Sequence, residues 1–289
     1  MPPMSSRPVS TETADVRFIE LSSGLRMPCV ERGSGPLVLF VHGSLSDYRY
    51  WQPQIDGLSA RYRCVAVSLT HYWPLAGLPR TVPFSWSLHA DELAEFVDKL
   101  GHGPAHVVGH SRGGSVAFNF AIRHGEHLRT LTLADPGGPA QMSGQSRPEL
   151  PDTVNALRAR VAQLIVEGEV EAGLELFVDS VSRVGSWAKS TKAFRTMAFD
   201  NAGTLVQQFA DPLPAYTSDA AKRVRCPTLL IDGEKSPDLF RRNVATLADW
   251  IPDAWRQTIR GTSHGMNLAH PTAFNRHIDE FILAAGHKR

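Results

Sequence analysis

The chain has 289 residues, 42% hydrophobic and only 20% charged, which places it with globular proteins that bury a substantial core. Lys+Arg 30 against Asp+Glu 29 leaves a formal net charge of +1 with no basic stripe or acidic block, so nucleic acid is not an expected partner. No stretch approaches the roughly 18 consecutive apolar residues of a membrane span, and the Pro/Ser-rich start lacks the apolar centre of a secretory signal. Membrane insertion is therefore not expected. Cys29, Cys64 and Cys226 are far apart, lie in or beside apolar runs and form no metal-ligand pattern. They read as buried free thiols of a cytoplasmic protein.

In chain order, residues 1–14 read as a disordered start, followed by two extended segments, 15–21 and 25–32, joined by the turn signal Ser22-Ser23-Gly24. The pattern then changes to short apolar runs alternating with stretches of helical period. Strands are expected at 37–41, 64–69, 105–108 and 128–134, and helices near 50–60 and over 88–100 and 113–123. Apolar runs of four to seven residues bounded by Gly or Pro suit strands covered on both faces, as in a parallel sheet. Leu88, Leu93, Phe96, Val97 and Leu100 form one apolar helix face, with Asp91, Glu92, Glu95 and Asp98 between them. Such alternation predicts right-handed βαβ units.

The alternation stops at Asp135-Pro136-Gly137-Gly138-Pro139. Helical patterns alone follow, at 154–166, 170–181 and 188–199, as far as Asp211-Pro212-Leu213-Pro214. Strands at 228–231 and 255–259 and helices at 237–250 and 272–285 then resume the earlier grammar. The expected organisation is one α/β domain, 15–138 and 222–289, interrupted by a helical cap over 139–221.

The most informative segment runs from Ala105 through Gly109-His110-Ser111-Arg112-Gly113. A Gly-x-Ser-x-Gly run between a strand and a helix holds its serine at a strained turn, with the hydroxyl above the sheet. Gly109 and Gly113 allow close approach of strand and helix, and the Arg112 N–H lies at a helix start, where it can donate to an oxyanion. Upstream, the strand ending Val41-His42-Gly43-Ser44 can supply a second amide, that of Ser44. Downstream, His264 sits in a Gly-flanked loop between the last strand and the last helix. It is the expected general base, whereas His42 and His110 read as structural.

With VHGS at 41–44, GHSRGG at 109–114, LADPGGP at 133–139, PTLLIDGE at 227–234 and GTSHGM at 261–266, the chain resembles the α/β-hydrolase superfamily in its single-cap, esterase- and lipase-like branch. The resemblance implies an eight-stranded, mostly parallel sheet with a helical cap after the sixth strand. It also implies a Ser111–His264–acid triad, with the Ser44 and Arg112 amides as oxyanion donors. Where most members carry the triad aspartate, this chain has Ser236. The resemblance therefore moves the acid to Asp135, with Glu234 and Asp238 as alternatives and Asp232 behind them. His71, Tyr72 and Trp73 replace the usual loop after the fourth strand and either line the pocket mouth or pack beneath the loop.

The implied activity is cleavage of a small to medium, largely apolar ester or lactone through an acyl-enzyme on Ser111, with no metal or organic cofactor. C–C bond, thioester or amide cleavage and peroxyacid formation would use the same groups. A lyase or cofactor-free oxygenase with His264 as base, and a receptor-like ligand binder, are the readings from other classes. Trp51, Trp73, Trp86, Trp187, Phe84, Phe177 and Phe194 supply either an apolar pocket or the core. The Arg112 side chain meets either a substrate carboxylate or the cap.

Overall fold

Apolar runs too short for helices pair into a single eight-stranded sheet in the order β1-β2-β4-β3-β5-β6-β7-β8. The computed structural model describes residues 15–77, 82–142 and 150–286, so the expected disordered start falls outside the described residues. The strands are β1 (Arg17–Glu20), β2 (Arg26–Arg32), β3 (Leu37–Val41), β4 (Arg63–Val67), β5 (Ala105–His110), β6 (Leu128–Ala134), β7 (Thr228–Gly233) and β8 (Ala254–Ile259). β1 and β2 form the expected hairpin and β2 runs antiparallel to β4, while all remaining pairs are parallel. Every residue of β3, β4, β5 and β7 is buried, as a sheet covered on both faces requires.

Side chains alternate across the sheet and feed two separate cores. Leu39, Val41, Val107 and Leu131 point to one face, under α2 (Trp86–Leu100) and α3 (Arg112–Arg123). Val38, Phe40, Val108 and Ala134 point to the other, under α1 (Gln52–Leu58) and the C-terminal helix. Helix boundaries follow local chemistry: Ser85 caps α2 by accepting from the Ser87 N–H, and Gly101 ends it in the left-handed region at φ 70°.

Between β6 and β7 lie α4 (Asp152–Val166), α5 (Val170–Val181), α6 (Lys192–Asp200), α7 (Thr204–Ala210) and the four-residue α8 (Ser218–Ala221). The first two match the sequence reading within two residues. The third starts later than expected, because Thr191 accepts from the Phe194 N–H and caps it there. α7 and α8 are too short to carry a readable period. Val161, Leu174, Val178, Trp187 and Leu205 give this segment a core of its own. Its two ends are clasped together: Ala140 bridges to Tyr216, whose hydroxyl donates to the Gly137 carbonyl at 2.6 Å.

A second clasp ties the segment to the loop after β3. Asn201 Nδ2 donates to Asp47 at 2.8 Å, and Arg49 joins Asp47 and Asp200 at 2.7 and 2.8 Å. The chain resumes with α9 (Asp238–Trp250), then β8, α10 (Met266–Ala269) and α11 (Pro271–Gly286). Among the described residues no helix is long and apolar enough to cross a membrane.

The tightest joint is where α3 crosses β3. A Cβ on Gly113 would lie 2.1 Å from the His42 carbonyl oxygen and 2.6 Å from that of Val41, both rigid backbone atoms. Gly113→Ala is therefore expected to cost about 3 kcal/mol, the upper end of overpacking penalties, read as a lowered melting temperature or lost soluble yield. Gly125→Ala, with open space around its Cβ position, should melt within a degree or two of the parent.

Candidate active site

Ser111 joins β5 to α3 with φ 53° and ψ −123°, a left-handed backbone that a non-glycine residue adopts at a cost of about 1–3 kcal/mol. Neighbouring strands enforce it. The Ser111 N–H donates to the Ala134 carbonyl at 3.0 Å, and its own carbonyl accepts from the N–H groups of Gly114 and Gly137 at 3.0 and 2.9 Å. The hydroxyl makes no capping bond to the helix that it begins. Gly109 is required below it, since a Cβ there would lie 2.6 Å from the Gly113 carbonyl oxygen. Gly43 is required beside it, its Cβ position being 2.9 Å from Ser111 Cβ. Ser44 follows directly, and its hydroxyl donates to Gln208 at 2.6 Å.

His264 and Asp135 are 129 residues apart in sequence, yet Nδ1 and Oδ2 meet at 3.0 Å. A carboxylate only accepts, so Nδ1 carries the proton and Nε2 keeps its lone pair. The imidazole lies between two rings, with Phe240 stacked at 4.1 Å and His110 at 4.6 Å. His110 Nε2–H donates to the His264 carbonyl at 2.8 Å, which fixes the loop as well as the ring. Burial holds the His264 pKa below its ordinary value and raises that of Asp135. The Ser236 hydroxyl, donating to Asp135 Oδ2 at 2.6 Å, offsets part of that rise. The serine at the usual aspartate position thus supports the carboxylate that sits across from it.

The other carboxylates lie elsewhere. Glu234 accepts from the Gly261 N–H at 2.9 Å, Asp238 is exposed and pairs with Arg241, and Asp232 pairs with Arg256 at 2.8 Å and bonds Thr258. None of them bonds His264. Asp135 reaches it because its backbone, at φ 41°, leaves β6 in the left-handed region and turns the side chain toward the loop after β8. His42 is structural, as expected: Nδ1–H donates to the Gly43 carbonyl at 2.8 Å while Nε2 accepts from the Leu69 N–H at 3.1 Å.

Two cavities meet at Ser111. One, of about 340 Å³, lies at the start of α3 and is lined by Arg112, Gly137, Leu157, Arg158, Phe209 and Leu213 among others. The second, of about 400 Å³, is lined by Tyr50, His110, Phe194, His264 and Leu268 among others. Ser44, Ser111, Phe177 and Val181 belong to both. His71, Tyr72 and Trp73, read as either pocket mouth or packing beneath the loop, line neither and are packing residues. Tyr72 is buried edge-on against the His42 ring at 4.5 Å, His71 packs on Phe84 at 5.6 Å, and Trp73 lies under the Arg49 guanidinium at 3.7 Å. This loop faces the Asp47–Asn201 clasp, and Trp73 N–H bonds Asn201 at 2.8 Å.

Of the aromatics read as either pocket or core, Phe177 and Phe194 line the cavities, while Trp51 and Trp187 are core. The Arg112 side chain bonds Asp211 at 2.7 Å, at the end of the inserted segment. Leu157, Arg158, Gln208 and Phe209 carry no motif and were not foreseen as lining. Their signal is only that they belong to the segment expected to cover the serine. Among the described residues one group has metal-ligating atoms within 4.8 Å of one another: His124, Glu126 and His127. It lies at the far end of α3 from Ser111, with His124 and His127 bonded to Asp91 and Asp98.

Known proteins share this architecture. A sequence profile of the Alpha/beta hydrolase family matches residues 38–277. The bifunctional epoxide hydrolase 2 of Sus scrofa is 24% identical over 98% of this chain and 57% of its own length, and that of Mus musculus is 30% identical over 97% and 58%. The chain thus spans under three-fifths of these curated relatives. The 2-(acetamidomethylene)succinate hydrolase of Mesorhizobium japonicum is 26% identical over 88% of this chain and 90% of its own. Among solved structures, a thermophilic esterase from Thermogutta terrifontis superposes with a TM-score of 0.73 at 22% identity, covering 94% of this chain and 99% of that one. With a profile match across more than half its length, the chain belongs to the alpha/beta hydrolase family.

Proposed function

We propose that the chain is a serine hydrolase that cleaves carboxylic esters or lactones through an acyl-enzyme on Ser111, with the segment between β6 and β7 acting as its cap. The observation that carries this reading is the Asp135–His264 bond at 3.0 Å, with His264 and the left-handed Ser111 lining one cavity. Asp135 holds the imidazole in the tautomer whose Nε2 lone pair takes a proton. His264 Nε2 removes the Ser111 proton as Oγ attacks the substrate carbonyl. The Ser44 and Arg112 amides receive the oxyanion, the second of them at the positive end of α3. His264 returns the proton to the departing oxygen, and water, activated by the same imidazole, releases the acid.

The two cavities then acquire roles. The leaving group must lie within reach of His264, which lines the second cavity, so the acyl part occupies the cavity at the start of α3. Although epoxide hydrolases stand among the relatives, Ser111 argues against epoxide opening here. A carboxylate attacking an sp³ carbon forms an ester that water can cleave, whereas a serine would form an ether with no carbonyl to hydrolyse. The three buried free thiols accord with a cytoplasmic setting.

Fluorophosphonate labelling and 4-nitrophenyl acetate turnover test the chemistry together. Ser111→Ala is expected to lose both. Turnover that survives that change would sink the acyl-enzyme and point to His264 as a base acting on the substrate itself. Asp135→Asn should lower kcat by about 10³–10⁴-fold through the wrong imidazole tautomer, while Glu234→Gln and Asp238→Asn stay within about twofold of the parent. Equal losses in all three would return the acid assignment to the β7–α9 turn.

The base works only when unprotonated, so activity falls as pH drops through the His264 pKa. Burial holds that pKa below its ordinary value of 6.5 but raises that of Asp135 to about 7. The bonded pair therefore titrates as a unit, and kcat/KM should be level above pH 8 and fall on acidification with a midpoint at or below pH 7. A midpoint above pH 7 would mean that the Asp135 charge outweighs burial.

A further inference from the structure

Arginines with little exposed surface in this fold come with a partner. Arg49 pairs with Asp47 and Asp200, Arg63 with Glu31, Arg112 with Asp211, and Arg195 donates to the carbonyls of Trp187 and Ala188. Arg158 departs from this pattern. It reaches from α4 to line the cavity at the start of α3, partly buried, with its guanidinium over the Phe209 ring at 5.5 Å. Among the described residues it makes no ion pair and no hydrogen bond, and no Asp or Glu lines either cavity beside Ser111. The other cation of that cavity, Arg112, is already neutralised by the Asp211 carboxylate at 2.7 Å, and it also donates to the Asp211 backbone carbonyl at 3.4 Å.

Holding an unpaired guanidinium away from water is costly unless something anionic arrives to meet it. Burial, and after it the positive charge of Arg112, hold the Arg158 pKa below its ordinary value, consistent with a missing counter-charge. The five donors of a guanidinium match a carboxylate in bidentate fashion. A single free positive charge balances one carboxylate, whereas a phosphate dianion would require a second. A volume of about 340 Å³ lies at the small end of ligand sites and limits the acyl chain to a short one.

We propose that Arg158 seats a carboxylate on the acyl portion of the substrate, so that this site takes monoesters of short dicarboxylic acids. The proposal deepens the serine-hydrolase reading and rests on it for the position of the acyl group. It replaces the largely apolar substrate expected from sequence with one that is apolar along its chain and anionic at the acyl end. Arg158 acts here as a binding residue, with no part in bond cleavage.

Phenol release from monophenyl glutarate and from its methyl-capped counterpart, methyl phenyl glutarate, reads the preference directly. The parent enzyme is expected to favour the free acid at least tenfold in kcat/KM. Arg158→Gln should cut that ratio at least tenfold, mainly through KM for the acid, and Arg158→Lys should restore part of it. Because the variant removes an unpaired charge, its melting temperature should equal or exceed the parent's. Calorimetric binding of monophenyl glutarate to Ser111→Ala, and its weakening at least tenfold by added Arg158→Gln, reads the anion site without catalysis.

If neither ester is cleaved but this Arg158-dependent binding holds, ester hydrolysis fails and the anion site stands. If both esters are cleaved with equal efficiency and binding ignores Arg158, the anion site is overturned and ester hydrolysis stands. Displacement of the half-ester by inorganic phosphate at lower concentration than by monomethyl glutarate would overturn the choice of a carboxylate.

Discussion

The left-handed backbone at Ser111 is the constraint on which the rest of the site depends. A serine there must be bent by something stronger than its own preference, and that force comes from β5, β6 and α3 meeting within bonding distance. The meeting is possible only because Gly109 and Gly113 present no side chain where strand, helix and the β3 backbone converge. Once bent, the serine cannot cap its helix in the usual way. Its hydroxyl makes no bond to the helix, and the residue lines both cavities instead.

The same economy of backbone strain recurs at Asp135, a second non-glycine residue held at positive φ. Its displacement from the strand axis lets a carboxylate that follows β6 serve an imidazole that follows β8. That imidazole is itself held by Phe240, His110 and the closely packed loop around Gly233, where a Cβ would lie 2.7 Å from the Ser263 carbonyl oxygen. A buried carboxylate robbed of such partners costs several kcal/mol. Asp135, Ser236 and His264 are therefore joined as one hydrogen-bonded unit, which the Ser236 hydroxyl after β7 completes.

The inserted helices add two features that the sheet lacks. They close both cavities over Ser111, and they are anchored by polar clasps at Arg112–Asp211 and Asp47–Asn201 as well as by apolar contacts such as Leu45 and Met197. His71, Tyr72 and Trp73 support the second clasp from below. Of the two readings that the sequence left open for this loop, packing is the one found: the rings lie against His42, Phe84 and Arg49.

Sequence by itself determined the strands, most helices, and Ser111 with its flanking glycines, because each rests on local information: apolar period, turn residues, or a pentapeptide whose chemistry is tied to one backbone shape. His264 was readable from its place between the last strand and the last helix. What only the tertiary structure decided were relations between distant segments. The partner of the imidazole is one: the resemblance put Asp135 ahead of Glu234 and Asp238, and only the Asp135 backbone turn brings a carboxylate to Nδ1. The fate of the loop after β4 is another, settled by packing against Asn201 and Arg49. Arg158 is the last. Nothing in its local sequence marks it, and an arginine becomes a recognition element only when folding places it in a cavity and leaves it without a counter-ion, a condition set by every neighbour at once.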